Sequence, residues 1–156
     1  YTRRYTLSLH DALPILEEAI VDKSPFIDQI IIYNNQSPFT GAIVVPNRDA
    51  LRRELDARDI REGRAAAAAD ILGAEIDRYR AGGPYAGEFP ERWLPAGLAI
   101  VDEPFTEQNG LINSTMKIVR NKVEEYFRDR IDYLYTPEGR ELRNDKNLAS
   151  LRKMVE

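Results

Sequence analysis

Lys117 is the residue of this chain best placed to do chemistry. It stands between Met116 and Ile118, after a polar run with a glycine (Gln108-Asn109-Gly110) and a small-residue run (Asn113-Ser114-Thr115), just ahead of a helical pattern that begins at Val119. A lysine so placed is a presented cation. It can replace solvent around a developing carboxylate or phosphate charge with a fixed ammonium. By spacing alone it is one of 22 basic residues, most of which must be surface.

The other chemistries are thinly supplied. The chain has no Cys and a single His, His10, which removes disulfides, thiolate nucleophiles and zinc clusters, and no metal site is expected. Gly82-Gly83-Pro84 and Gly110 do not match the G-x-x-x-x-G-K-[ST] phosphate loop, and no serine nucleophile elbow occurs. The acid pairs Glu17/Glu18 and Glu124/Glu125 are adjacent in helical patterns, where neighbours point in different directions. They are poor acid/base dyads and are expected to be solvated surface. Asn113-Ser114-Thr115 fits a glycosylation sequon, which carries no weight in a cytoplasmic chain.

At 156 residues the chain has the length of one domain, and 43% hydrophobic with 31% charged residues is an ordinary globular balance. The net charge of −4 argues against nucleic-acid or anionic-membrane binding by bulk charge. No apolar run approaches the roughly 20 residues of a membrane span, and a cytoplasmic location is expected by elimination.

The elements that must position Lys117 follow from periodicity. Leu16–Val21 reads as a short helix ended by Ser24-Pro25. Phe26–Tyr33 and Phe39–Val45 read as two strands, joined by Asn34-Asn35-Gln36-Ser37-Pro38 in an antiparallel hairpin, and the Ile30-Ile31-Ile32 run predicts a sheet covered on both faces. Asn47 caps a helix over Arg48–Ala57, and Arg61–Arg80 predicts a longer helix with its Ala65–Ala69 run packing closely. Tyr85–Pro95 is irregular, with Trp93, the only Trp, pinning it to the core. Gly97–Val101 is a third strand. The helix after Lys117 is expected to turn Val119, Val123, Tyr126 and Phe127 inward; Ile131–Tyr135 is a short apolar piece, and Asn147–Val155 a terminal helix. The fold class predicted is α+β: a small sheet of about three strands flanked by helices.

The first residues read differently. Tyr5–Ile15 resembles the translation of a sequencing-library adapter, so residues 1–15 are set apart as non-native and residues 16–156 taken as one subdomain. From Leu16 onward the chain resembles the C-terminal lid subdomain of AMP-forming acyl-CoA synthetases of the long-chain fatty-acid type. The stretches LEEAIVDKSPFIDQIIIYNNQSPFTGAIVVPN, FPERWLPAGLAIVDEPFTEQNGLINSTMKIVRNKVEEYF and IDYLYTPEG carry that resemblance.

The resemblance implies a parent enzyme, a long-chain fatty-acid–CoA ligase. It would activate a fatty acid with ATP and Mg2+ to an acyl-adenylate and pass the acyl group to CoA. It implies Lys117 as the catalytic lysine of adenylation, and a mobile lid whose partner is the enzyme's own N-terminal adenylation domain. Lid closure would exclude water from an adenylate that otherwise hydrolyses. The family's phosphate loop, its aromatic-Gly-x-Thr-Glu motif and its hinge belong before Leu16, and Thr106-Glu107 is not that Thr-Glu pair. The isolated chain is therefore expected to be inactive, to bind none of these ligands tightly, and to expose an apolar docking face. The alternatives are a free-standing interaction module of the same fold, or a lid serving another carboxylic acid.

Overall fold

The computed structural model describes residues 9–156. Of the segment set apart in the sequence, residues 1–8 lie outside those described. The remainder opens helix α1, Leu9–Lys23, which crosses the 15/16 boundary without a break. The helix is longer than the Leu16–Val21 pattern suggested because its buried stripe starts earlier: Ala12 and Leu13 precede Leu16 and Ile20 at near-helical spacing, and all four are buried.

Three strands form the sheet, β1 (Ile27–Tyr33), β2 (Gly41–Pro46) and β3 (Gly97–Ile100), in the order β1-β2-β3. β1 and β2 pair antiparallel with Ile31 opposite Ile43, as the hairpin reading required. β3 lies parallel to β2, Ala99 opposite Ile43. A parallel neighbour needs a crossover, and helices α2 (Arg48–Ala57) and α3 (Arg64–Asp77) provide it.

α2 begins where the sequence placed it, with Asn47 Oδ1 accepting from the Ala50 N–H at 2.9 Å. α3 is shorter than Arg61–Arg80. Gly63, at φ +64°, turns the chain into it, and the segment after Asp77 tightens into a turn. Its small buried face, Ala65, Ala68 and Ala69, lies against α6 (Asp145–Val155). α6 starts at Asp145 because Asn144, rather than a later residue, is its cap. Trp93 closes a 3-10 turn, Glu91–Trp93, and is buried in the core, as expected.

Both faces of the sheet are covered, as the isoleucine run foretold. Ile30, Ile32, Ala42, Val44, Leu98 and Ile100 face α1, α2, α3, α6 and the Trp93 segment. Ile31, Tyr33, Ile43, Val45, Ala99 and Val101 face Phe105, Leu111, Val123, Phe127 and Ile131. The second layer consists of the Lys117 loop and two short helices, α4 (Arg120–Tyr126) and α5 (Arg128–Leu134).

Tyr126 does not turn inward. It is 49% exposed and its hydroxyl donates to Glu103 Oε2 at 2.7 Å. The helix breaks at Phe127, and the inward face runs through Val123, Phe127 and Ile131 at four-residue spacing, leaving Tyr126 outside it.

Side chains close the two sheet edges. Along β3, the buried Asn147 accepts from Ile100 N–H at 2.9 Å and donates to the Leu98 carbonyl at 2.9 Å, while Arg130 donates to the Ile100 carbonyl at 2.9 Å. Along β1, Glu17 accepts from Ile32 N–H at 2.6 Å and Arg120 donates to the Ile32 carbonyl at 3.1 Å. The outward peptide groups of Ile32, Leu98 and Ile100 are thereby paired without a further strand.

Candidate functional site

The loop that carries Lys117 is built from both ends. Phe105 and Leu111 are buried in the second layer and fix its beginning. Gln29 grips the backbone on either side of Phe105, accepting from its N–H at 2.8 Å and donating to its carbonyl at 3.0 Å. Thr106 and Asn109 cap one another: Thr106 N–H donates to Asn109 Oδ1 at 2.9 Å and Asn109 N–H donates to Thr106 Oγ1 at 3.1 Å. Gly110, at φ +79°, reverses the chain, a conformation that glycine adopts without a Cβ clash.

The chain then folds back on itself. Ile112 bridges Ile118, and Val119 N–H donates to the Leu111 carbonyl at 2.9 Å. The tip between them, residues 113–117, is organised by Asn113. Its Oδ1 accepts from Thr115 N–H at 3.0 Å, Thr115 Oγ1–H at 2.7 Å and Lys117 N–H at 3.0 Å. Met116 sits at φ +64° and is 68% exposed.

Lys117 therefore stands on a tight hairpin tip, not on the first turn of a helix and not on a slack loop. Its side chain is exposed and forms no ion pair among the described residues. It does not line the cleft of about 530 Å³ bounded by Tyr79, Ala86, Phe89 and Glu91. The arrangement can offer one ammonium to a group brought from outside. The tip holds no carboxylate, imidazole, thiol or second cation, and among the described residues no cluster of three or more His, Cys, Asp or Glu side chains could hold a metal ion.

The large hydrophobic side chains exposed among the described residues are Ile15, Met116 and Tyr126. Glu17 is the site residue that sequence reasoning missed. The Glu17/Glu18 pair read as solvated surface, yet Glu17 is largely buried and takes Arg120 in a two-point ion pair, with Arg120 Nη1 to Oε2 at 2.8 Å and Nη2 to Oε1 at 2.6 Å. The partners lie 103 residues apart, and no local spacing announces such a pair. The only signal was an arginine three positions after the lysine.

No protein-family model matches the chain. It is 31% identical over 128 residues to the probable acyl-activating enzyme 16 of Arabidopsis thaliana, covering 77% of this chain and 16% of that protein. It is 26% identical over 121 residues to long chain acyl-CoA synthetase 8 of the same plant, covering 76% of this chain and 17% of that protein. Among solved structures, the A domain of a carboxylic acid reductase from Segniliparus rugosus, bound to AMP and a co-purified carboxylic acid, superposes with a TM-score of 0.56 at 27% identity, covering 80% of this chain and 18% of that one. The chain thus spans about a sixth of the length of the curated relatives it matches. What it shares with them is one region of adenylate-forming enzymes.

Proposed function

We propose that this chain is the C-terminal lid subdomain of an adenylate-forming ligase that activates a long-chain fatty acid, and that Lys117 is its adenylation lysine. The observation that carries the reading is an exposed ammonium, without an ion-pair partner among the described residues, on a tip tied by Asn113, in a chain similar to one region of acyl-activating enzymes. A lone cation with no pocket of its own suits insertion into a pocket supplied by another domain.

In the proposed reaction a carboxylate oxygen attacks the α-phosphorus of ATP, the bond to the bridging oxygen breaks, and pyrophosphate leaves. The Lys117 ammonium would stand beside the carboxylate and α-phosphoryl oxygens while negative charge moves between them. Removing one such preorganised donor costs on the order of 10²-fold or more in the step it serves. The acyl-adenylate then loses AMP to attack by the CoA thiol, a step in which the lid would turn a different face to the substrate. Holding Lys117 on a pinned tip avoids reorganising it at the moment of reaction.

The name of long chain acyl-CoA synthetase 8 favours a fatty acid and CoA. The carboxylic acid in the Segniliparus A domain favours a second reading, a lid serving another acid or another acyl acceptor. Recovering the coding sequence upstream of this segment tests the proposal. We expect an adenylation domain in the same reading frame, and a purified full-length product that forms acyl-AMP from palmitate faster than from acetate or benzoate. A continuous frame with no adenylation domain would contradict the ligase reading; a preference for a short or aromatic acid would contradict the fatty-acid assignment alone.

A further inference from the structure

We propose that Arg120, held by Glu17, is the positioning residue of the lysine tip; this rests on the reading of Lys117 as the adenylation lysine. Arg120 opens α4 three positions after Lys117. Its guanidinium makes two bonds to the Glu17 carboxylate, at 2.8 and 2.6 Å, and a third to the Ile32 carbonyl at 3.1 Å. Glu17 Oε2 also accepts the Ile32 N–H at 2.6 Å. Four hydrogen bonds therefore meet at one point and tie together α1, the open edge of β1 and the first residue of α4, three positions beyond the tip. The anchor lies in the core: Ile32 is fully buried and stands opposite Ala42 across the hairpin.

Among the described residues, no side chain bonds to the backbone at the start of α4. Its N-cap, Val119, offers no side-chain bond to the helix. The leading arm of the loop is held by Phe105 and Leu111 in the core; the trailing arm is held by the Asn113–Lys117 hydrogen bonds, the Ile112–Ile118 bridge with Ile118 half-buried, and the Val119–Leu111 hydrogen bond before Arg120. The planar fork of arginine can satisfy a carboxylate at two points and a carbonyl at a third; a lysine ammonium offers no such fixed fork. A shift of about 1 Å in a catalytic group placed by such a clamp can cost on the order of 10²-fold.

The test uses the full-length protein carrying this segment, with ATP–pyrophosphate exchange and thioester formation from supplied acyl-adenylate read separately, and hydrogen exchange on the 156-residue chain. Arg120→Lys and Glu17→Gln should each lower exchange kcat by about 10- to 100-fold while KM for ATP stays within about twofold. The double variant should be no worse than the worse single one, because both remove the same clamp. Thioester formation should stay near wild type. In the chain itself Ile32 N–H should lose protection while the central Ile43 N–H keeps it. Exchange unchanged in both variants while Lys117→Ala abolishes it would overturn the proposal and leave the reading of Lys117 standing. Parallel loss of both half-reactions, with protection lost across the whole sheet, would make the clamp merely structural and also overturn it. Exchange unchanged in Lys117→Ala would remove the reading beneath the proposal and take the proposal with it.

Discussion

Asn113 holds Lys117 in both directions: Lys117 N–H donates to Asn113 Oδ1 at 3.0 Å, and Asn113 N–H donates to the Lys117 carbonyl at 2.9 Å. The side-chain half of that tether also fixes Thr115. Asn113→Ala would release three acceptor contacts at an exposed tip, where each net hydrogen bond contributes only about 1 kcal/mol or less. We expect global stability to fall by no more than roughly 1 kcal/mol and the Lys117 amide to exchange about tenfold faster or more. Hydrogen exchange followed by NMR reads both; an unchanged Lys117 amide would show that the backbone alone sets the tip.

Met116 adopts φ +64°, where a residue with a Cβ is held at a cost of about 1 kcal/mol. Met116→Gly should therefore be more stable than Met116→Ala by about 1 kcal/mol, a separation of roughly 2–4 °C in Tm for a chain of this size. Thermal unfolding of the two variants side by side decides it, and an alanine variant as stable as the glycine variant would remove the strain.

Asn147 is fully buried and bonds to β3 at both Ile100 N–H and the Leu98 carbonyl, to the Leu142 carbonyl at 3.0 Å and to Arg130 at 2.7 Å. Burial lowers the Arg130 pKa, opposed by Tyr133 and Asp102. Asn147→Leu keeps the volume and orphans those groups, for an expected loss of about 3 kcal/mol or more in urea unfolding. A loss under about 1 kcal/mol would mean that water replaces the amide.

Burial, reinforced by the nearby Glu88 carboxylate, pushes the Tyr79 phenol from 10.0 up to about 12. Its hydroxyl donates to the Ala19 carbonyl at 3.1 Å. Above pH 10 the unfolded chain gives up this proton and the folded chain keeps it, so the stability linked to Tyr79 is whole below about pH 10 and is lost as pH rises toward about 12. Tyr135 is shifted upward chiefly by its own burial, which leaves a background slope. Tyr79→Phe should flatten the stability profile between pH 10 and 12 relative to wild type, as measured by denaturant midpoints; equal slopes would contradict the assignment.

The local signals in this sequence were easy to read, and the long-range pairings were not. Ile30-Ile31-Ile32 gave a two-sided strand because side chains alternate on a pleat, and Asn47 marked its helix because the cap is a contact over three residues. The parallel pairing of β3 with β2 depends on a crossover through two helices, which periodicity does not encode. Tyr126 was misplaced because it was set on the inward face beside Phe127, whereas it lies exposed with its hydroxyl on Glu103, a contact 23 residues away in sequence. Lys117 was visible as a residue, but its rigidity comes from Asn113, four positions earlier, whose role a sequon-like triplet conceals. The support beneath it comes from Glu17, 103 residues from Arg120.

The most direct measurement is carboxylate-dependent ATP–pyrophosphate exchange by the full-length protein that carries this segment, wild type against Lys117→Ala, with thioester formation from supplied acyl-adenylate run in parallel. We expect exchange to fall by on the order of 10²-fold or more while thioester formation is largely spared. Exchange at the wild-type rate in Lys117→Ala would contradict the assignment of Lys117 to adenylation.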